Sequence, residues 1–303
     1  MPALRKLLHT GTAILLTAAI AIGQGYEAAA LSSDSNGNDR MVSTALAANV
    51  QRPAATIRVK SITPNFSKRI AEKFEINDDT IGWLYVPGTS INHVILKNPF
   101  HQTNNYYLGL NINKRPDKNG MFCADFRAVF GSGKRKDLSR ITALYGHSWT
   151  DDPDDILFAQ LKKYRDHDFA KNNPYIFFST AKENMAWEVF AVFDTTIDLP
   201  YISPTLPDIH FYDMLDIVKQ LSYYENDIAI TADDKILTLS TCTYSVMGHE
   251  RLPELNGYRF AIMARLVKPN DAIKTEAALT INEDRLAPDG IAAISAEKKL
   301  PRW

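Results

Sequence analysis

From about Phe66 onward, short runs rich in β-branched and aromatic residues alternate with clusters of turn formers. The runs are IGWLYVP, INHVILK, GMFCAD, ITALYGH, YIFFST, MAWEVFAVFD, KILTLSTC and YRFAIMARLV. Eight such runs predict a mainly β domain whose sheet closes, or nearly closes, into a barrel. Two stretches follow helical spacing instead. One is expected to start at Asp152 and Pro153, as cap and first turn, and to bury Leu157, Phe158, Leu161 and Tyr164. The other is expected over Asp208 to Glu225 and sets Phe211, Met214, Leu215, Val218 and Leu221 on one face, a long helix between the late strands.

The first 65 residues have a different texture. Arg5 and Lys6 precede the stretch Ala13 to Ile22, in which only Thr17 is not apolar, and no charge falls between Lys6 and Glu27. This pattern predicts an export segment over residues 1–30, either cleaved near Ala28, Ala29 and Ala30 or retained as a membrane anchor. The positive charges before the apolar run place the domain that follows outside the membrane. Residues 31–65 carry SSDSNGNDR and little periodicity, so they are expected to form an extracytoplasmic spacer. The folded domain is expected over 66–268, with a tail of unassigned role at 269–303.

Composition narrows the chemistry. With 303 residues, 45% of them hydrophobic, the chain can bury a core. Thirty-four basic against 35 acidic side chains leave a formal charge of -1, so no global field draws in nucleic acid. Two cysteines, Cys123 and Cys242, cannot build a four-cysteine zinc site. The histidines at 9, 93, 101, 147, 167, 210 and 249 form no pair at metal-binding spacing, so neither a metal nor another cofactor is expected. GSGKRK at Gly131–Lys136 is no phosphate loop, because Ala128 and Arg135 replace its first glycine and its hydroxyl; it is expected to be a solvated basic turn. The acidic run Asp151, Asp152, Asp154 and Asp155 lacks the glycine and distal glutamate of a calcium loop, and helix capping accounts for it.

Three strand-end residues remain. In KILTLSTC, alternation sets Leu237 and Leu239 on one face and Ile236, Thr238, Ser240 and Cys242 on the other, with Cys242 last. His147 ends ITALYGH directly after Gly146, and Arg259 opens YRFAIMARLV on the side opposite Phe260, Ile262, Ala264 and Leu266. Each alone has a plain structural reading: a small packed thiol, a hydrogen-bonded ring, a surface ion pair. Together they suit cysteine acyl transfer. The thiolate attacks an amide carbonyl, the histidine protonates the departing amine, and the guanidinium stabilises the oxyanion.

The same segments resemble the class B sortases. TLSTC at Thr238–Cys242, continued by Thr243 and Tyr244, is similar to that family's nucleophile strand, and YGH at Tyr145–His147 to its histidine segment. IGWLYVPGTSI, NNYYL, NGMFCADFR, LFAQLKKY and RFAIMARL extend the resemblance over about residues 66–268. It implies a sortase-type eight-stranded barrel with a few peripheral helices. It further implies a membrane-tethered cysteine transpeptidase outside a Gram-positive-type cell, with His147, Cys242 and Arg259 catalytic. Such enzymes cleave a sorting signal after threonine, hold a thioacyl intermediate and pass it to an amine of a cell-wall precursor or a pilin. An exported barrel that binds peptides or cell-wall fragments without turnover is the alternative.

The resemblance also assigns a substrate groove to Asn104, Leu108, Ser240, Thr241 and Tyr244. An asparagine amide beside an apolar leucine suits a signal of the N/S-P-x-T kind. The chain departs from the family at Ser148 and Trp149, where Asn and Met are more usual. The loop between Cys242 and Arg259 is longer than usual and carries a second candidate cation, Arg251. Arg259 is preferred because it leads directly into the last apolar strand. Cys123 stands where the family carries an apolar residue, so a buried thiol is expected there and not a disulfide with Cys242.

Overall fold

The structure, a computed structural model, describes residues 56–100, 103–244 and 257–301. The export segment and most of the spacer, together with His9, His101, His249 and Arg251, lie outside the described residues. No described helix is long and apolar enough to cross a membrane.

The apolar runs become strands β1 (Thr80–Tyr85), β2 (Asn92–Lys97), β3 (Cys123–Ala124), β4 (Ile141–Tyr145), β5 (Tyr175–Ser179) and β6 (Ala186–Thr196). A short β7 (Tyr224–Glu225) precedes β8 (Ile236–Cys242) and β9 (Tyr258–Leu266), and β10 (Thr280–Ile281) comes last. Eight of these close into a barrel in the order β1-β2-β3-β4-β8-β9-β6-β5, as the eight runs predict. Most ladders are antiparallel, but β2 pairs with β3 in parallel and so does β4 with β8, the latter requiring the long connection through β5, β6 and the helix that follows β6.

The strands are buried on both faces, so the barrel has three apolar layers instead of one. Leu84, Ile95, Leu144, Trp187, Leu237, Leu239, Phe260 and Ile262 fill the interior. On one outer side, helix α4 (Asp208–Leu221) lays Phe211, Met214, Leu215, Val218 and Leu221 over Ile141, Ala143, Ile236, Ala261 and Met263. On another, α1 (Val59–Ile62) and α2 (Ser67–Phe74) bring Val59, Phe66 and Ile70 against Trp83, Val94, Leu96 and Phe177.

Three expectations change. The first helix does not start at Asp152. Asp152 instead caps a turn by accepting from the Asp154 N–H at 2.9 Å, and a 3-10 helix begins only at Leu157 and runs to Arg165. Its Phe158, Leu161 and Tyr164 are fully buried, while Leu157 is half-buried. A short α3 (His167–Asn172) follows, capped by the Asp166 carboxylate on the Phe169 N–H. Helix α4 ends at Leu221, because Ser222 turns the chain into β7 with its hydroxyl on the Tyr224 carbonyl at 2.8 Å.

The domain also reaches further than 66–268. Val59 and Ile273 exchange backbone hydrogen bonds with Asp271 and Ile57 across a bridge between Arg58 and Ala272, so the spacer's end and the tail are zipped together. Beyond that clasp β10 pairs with β7, and α5 (Ile291–Glu297) with the residues after it lays Ile291 and Leu300 into the layer under α4. GSGKRK is not merely a solvated turn either. Arg135 forms an ion pair with Glu183 and donates to the Val267 carbonyl at 3.0 Å.

Because the tail buries two large aliphatic side chains, truncation after Lys268 is expected to cost roughly 3–6 kcal/mol of stability, read from the urea unfolding midpoint. An unchanged midpoint would show that the tail only decorates the barrel.

Candidate active site

Strand register brings the three chemical residues together. The β4–β8 ladder ends with Tyr145 opposite Ser240, and the Thr241 hydroxyl then donates to the Gly146 carbonyl at 2.7 Å. Continuing that register sets His147 beside Cys242. On the other side, the antiparallel β8–β9 ladder ends with Cys242 opposite Arg259. Residues opposite one another in a sheet share a face, with strands about 4.8 Å apart. His147, Cys242 and Arg259 therefore form one row across three neighbouring strands. All three are half-buried, and the Arg259 guanidinium donates to the Tyr258 carbonyl at 2.8 Å.

The histidine is held by its surroundings. A Cβ at Gly146 would sit 2.6 Å from the Phe122 ring and 2.9 Å from Phe158, whose rings pack 4.3 Å apart, so only glycine allows the chain to pass them. Phe158 returns a backbone N–H to the His147 carbonyl at 3.0 Å. The His147 ring places Nε2 2.8 Å from the Leu108 carbonyl, which can only accept. Nε2 thus carries a proton in this arrangement, and Nδ1 is the ring nitrogen left to gain or lose one. Leu108 is pinned in turn: Gly120 adopts φ +58, and any Cβ there would lie 2.3 Å from the Leu108 oxygen. Trp149 stacks on His147 at 4.6 Å and donates to the Asn119 side chain at 3.2 Å.

Beneath this row lies a set of buried charges. Lys162 is 2% exposed, and its ammonium reaches the Ser148 hydroxyl and the Thr150 carbonyl at 2.6 Å and the Asp151 carboxylate at 2.5 Å. Asp151 also accepts from the Thr243 hydroxyl at 3.1 Å and the Tyr244 N–H at 3.0 Å. Arg165 donates to Thr243 and to Asp194, each at 2.9 Å, and Tyr223 donates to Asp194 at 2.6 Å. Burial pushes the Asp151 carboxyl up, but the Lys162 ammonium, the Tyr244 N–H and Arg165 outweigh it and bring it down to about 2. Burial draws Lys162 down against the upward pull of Asp151; with three acceptors in reach it remains an ammonium.

The acidic run is thus no helix cap at its first position. Asp151 joins the segment after His147 to the segment after Cys242. Sequence reading missed Asp151, Lys162, Arg165 and Thr243. The available signal was phase: Lys162 and Arg165 follow Phe158 and Leu161 by four residues, on the stripe that ought to be apolar.

The residues assigned to a groove fall in two groups. Leu108, Asn104 and Tyr244 are half-buried around the row, whereas Ser240 and Thr241 are buried, at 2% and 3% exposure. Ser240 shares a hydrogen bond with the Tyr201 hydroxyl at 2.8 Å, and Thr241 is spent on Gly146. The Asn104 amide donates to Asp125 at 3.1 Å and accepts from the Phe126 N–H at 2.9 Å. Asp125 also accepts from Tyr145 at 2.6 Å and from Arg127 at 2.7 Å, so the tyrosine of YGH anchors to a buried carboxylate. Tyr244 donates to the Ser148 carbonyl at 2.8 Å. Both cysteines are free thiols; burial pushes Cys123 up to about 12. Among the described residues, no three His, Cys, Asp or Glu side chains converge on a possible metal position.

No family model matches the sequence. Sortase B of Listeria monocytogenes is 34% identical over 169 residues, covering 55% of this chain and 64% of that protein. Sortase B of Staphylococcus aureus is 31% identical over 169 residues, covering 55% of this chain and 65% of that protein. The chain therefore spans slightly less than two thirds of the length of these relatives. Among solved structures, a Staphylococcus aureus sortase B–substrate complex aligns with a TM-score of 0.55 at 28% identity, over 67% of this chain and 86% of that one. The sortase B of B. anthracis in complex with AAEK1 aligns with a TM-score of 0.53 at 30% identity, over 66% of this chain and 85% of that one. The chain belongs to the class B sortases. In this sortase the eight-stranded barrel and the helix between its late strands are the family's architecture.

The ion pair under the row sets a pH dependence. The folded Asp151 value lies below the ordinary carboxylate value of about 3.9, so its stabilisation is present above that value and is lost as pH falls toward 2. Asp151→Asn is expected to cost roughly 2–4 kcal/mol at pH 7, and the gap from the parent should narrow on acidification below pH 4. Urea midpoints at a series of pH values test this. A gap that widened with acid would reverse the assigned sign.

Proposed function

We propose that this sortase is a membrane-tethered cysteine transpeptidase working on the outer face of a Gram-positive-type envelope. The row His147, Cys242 and Arg259 at adjacent strand ends carries the reading. The Cys242 thiolate attacks the carbonyl of a threonine in a sorting signal, and the resulting oxyanion is stabilised by the Arg259 guanidinium. As the peptide C–N bond breaks, His147 gives a proton to the departing amine. The threonine carbonyl is then held as a thioester on Cys242. An incoming amine attacks it and passes a proton to His147, the C–S bond breaks, and the thiolate is restored. The amine comes from a cell-wall precursor or a pilin lysine. The chemistry needs no cofactor.

The segment Ala13 to Ile22, preceded by Arg5 and Lys6, supports the tether and the outward orientation. The near-zero net charge supports local recognition of a peptide in place of nucleic acid. Asn104 supports a signal of the N/S-P-x-T type: one N–H and one lone pair are fixed by Asp125 and Phe126, and its inventory still holds one of each for a peptide. Leu108 beside it offers an apolar wall to the proline.

The thiol assignment makes a sharp demand. Cys242→Ala is expected to abolish turnover and labelling by a thiol reagent, Cys123→Ala to preserve both, and Arg259→Lys to lower kcat by roughly 100-fold through loss of the planar fork. Full turnover without the Cys242 thiol would remove the mechanism. Rapid labelling with no cleavage of any signal peptide would favour the peptide-binding barrel.

Recognition is tested with paired peptides. The parent should cleave Asn- and Ser-initiated signals faster than a Leu-initiated one, and Asn104→Ala should shrink that preference while Cys242 labels normally. Equal cleavage of both peptide types by the parent would sink this account of the groove.

A further inference from the structure

Cys242 is the last residue of β8, where a strand ordinarily frays, yet both of its neighbours are tied to the chain segment that carries His147. On the near side, the Thr241 hydroxyl holds the Gly146 carbonyl at 2.7 Å. On the far side, the Thr243 hydroxyl and the Tyr244 N–H hold Asp151, and the Tyr244 hydroxyl holds the Ser148 carbonyl at 2.8 Å. Lys162 then gathers Ser148, Thr150 and Asp151 with one ammonium. Arg165, from the same 3-10 helix, braces Thr243 from behind and is itself fixed by Asp194.

A purely structural role would not require these charges. Removing an ammonium and a carboxylate from water costs several kcal/mol each, and apolar side chains of similar volume commonly stabilise a fold as well or better. What a buried ion pair adds is direction, because its partners are satisfied in one arrangement only. Here that arrangement fixes the two loops that leave the thiol and the imidazole.

We infer that Thr243 and the buried Asp151–Lys162 pair are positioning groups that hold the Cys242 thiol in register with His147. The inference rests on Cys242 and His147 being the reacting pair, and it adds a device outside the row itself. Thr243 and Lys162 are buried at 1% and 2% exposure, and the Asp151 side chain is 12% exposed. They act by keeping the distance and direction between nucleophile and base within the narrow range that proton exchange requires.

The test compares the full chain with four variants: Lys162→Met, Thr243→Val, Thr243→Ser and Glu188→Gln. Glu188 is a second buried carboxylate, paired with Arg265 and Lys274 at 2.9 Å at the opposite end of β9, so it reports general loss of stability. Four quantities are read: the second-order rate of Cys242 alkylation by iodoacetamide, kcat and KM on a cleaved signal peptide, and the thermal midpoint. Lys162→Met and Thr243→Val are expected to slow alkylation about tenfold and to lower kcat roughly 10- to 100-fold, with KM within about twofold of the parent. Thr243→Ser keeps the hydroxyl and should restore both rates. Glu188→Gln should lower the thermal midpoint and leave both rates unchanged. If Lys162→Met does not fold, Thr243→Val decides, since it removes only a hydroxyl. Parent-like alkylation and kcat in folded Thr243→Val overturn the inference, as does an equal slowing in Glu188→Gln. A parent thiol no more reactive than that of the denatured chain would instead overturn the catalytic reading on which the inference rests.

Discussion

Two parallel strands far apart in sequence, Ile141–Tyr145 and Ile236–Cys242, end at the same level of the barrel, and the Thr241 hydroxyl closes their ladder on the Gly146 carbonyl at 2.7 Å. The site depends on this register. A slip of one residue would turn Cys242 into the barrel interior, where Leu237 and Leu239 now lie. A slip of two would keep its face but move it about 7 Å along the strand, beyond reach of His147. Both slips are opposed by the same apolar layers, since Leu239 pairs with Leu144 inside while Ile236 and Ile141 pack under α4 outside. Core packing and catalytic geometry are one constraint at this point of the fold.

That coupling explains why so much of the barrel was legible in the chain. Short β-rich runs bounded by turn clusters identified all eight barrel strands, and alternation within KILTLSTC placed Leu237 and Leu239 opposite Cys242, because that strand packs a continuous inner face. Alternation says nothing about what covers the other face. Ile236 and the buried Thr238 and Ser240 lie under a second layer made by α4 and the tail, so the side facing away from the core proves to be a second core. The tail itself has few long apolar runs, and its anchoring depends on isolated residues such as Ile291 and Leu300, which no periodicity marks.

The failures at the site have a similar cause. Acidic residues before an apolar stripe are good helix caps, and the sequence around Asp152 and Pro153 satisfies that local rule. Tertiary structure overrides it. Asp151 is claimed by Lys162, and the chain makes a separate turn at Asp152–Asp155 and is extended at Ile156 before the 3-10 helix starts at a Leu157 held at φ +61. A leucine in that conformation is strained, and it occurs where the next residue, Phe158, must return a hydrogen bond to the His147 carbonyl. Ser240 likewise shares the face of Cys242 in the pattern, yet Tyr201 covers its hydroxyl, a contact between residues far apart in the chain.

The charge balance of the buried network bears on how it acts. Lys162 has the Asp151 carboxylate at 2.5 Å and Arg165 has Asp194 at 2.9 Å, so each cation is matched by an anion within hydrogen-bonding distance. Two such pairs largely cancel at longer range, and little net field reaches the sulfur from them. Activation of the thiol by bulk positive charge is therefore a poor account of their presence. Tyr223 extends the same network by donating to Asp194, so that Asp194, Arg165, Thr243, Asp151 and Lys162 are linked in one chain, with Arg165 Nε as its one buried nitrogen without a partner among the described residues. A network of this kind loses much of its energy if any one member moves, because each displaced group is left buried without a partner. Its physical effect is stiffness at the strand end, where the nucleophile would otherwise be least constrained.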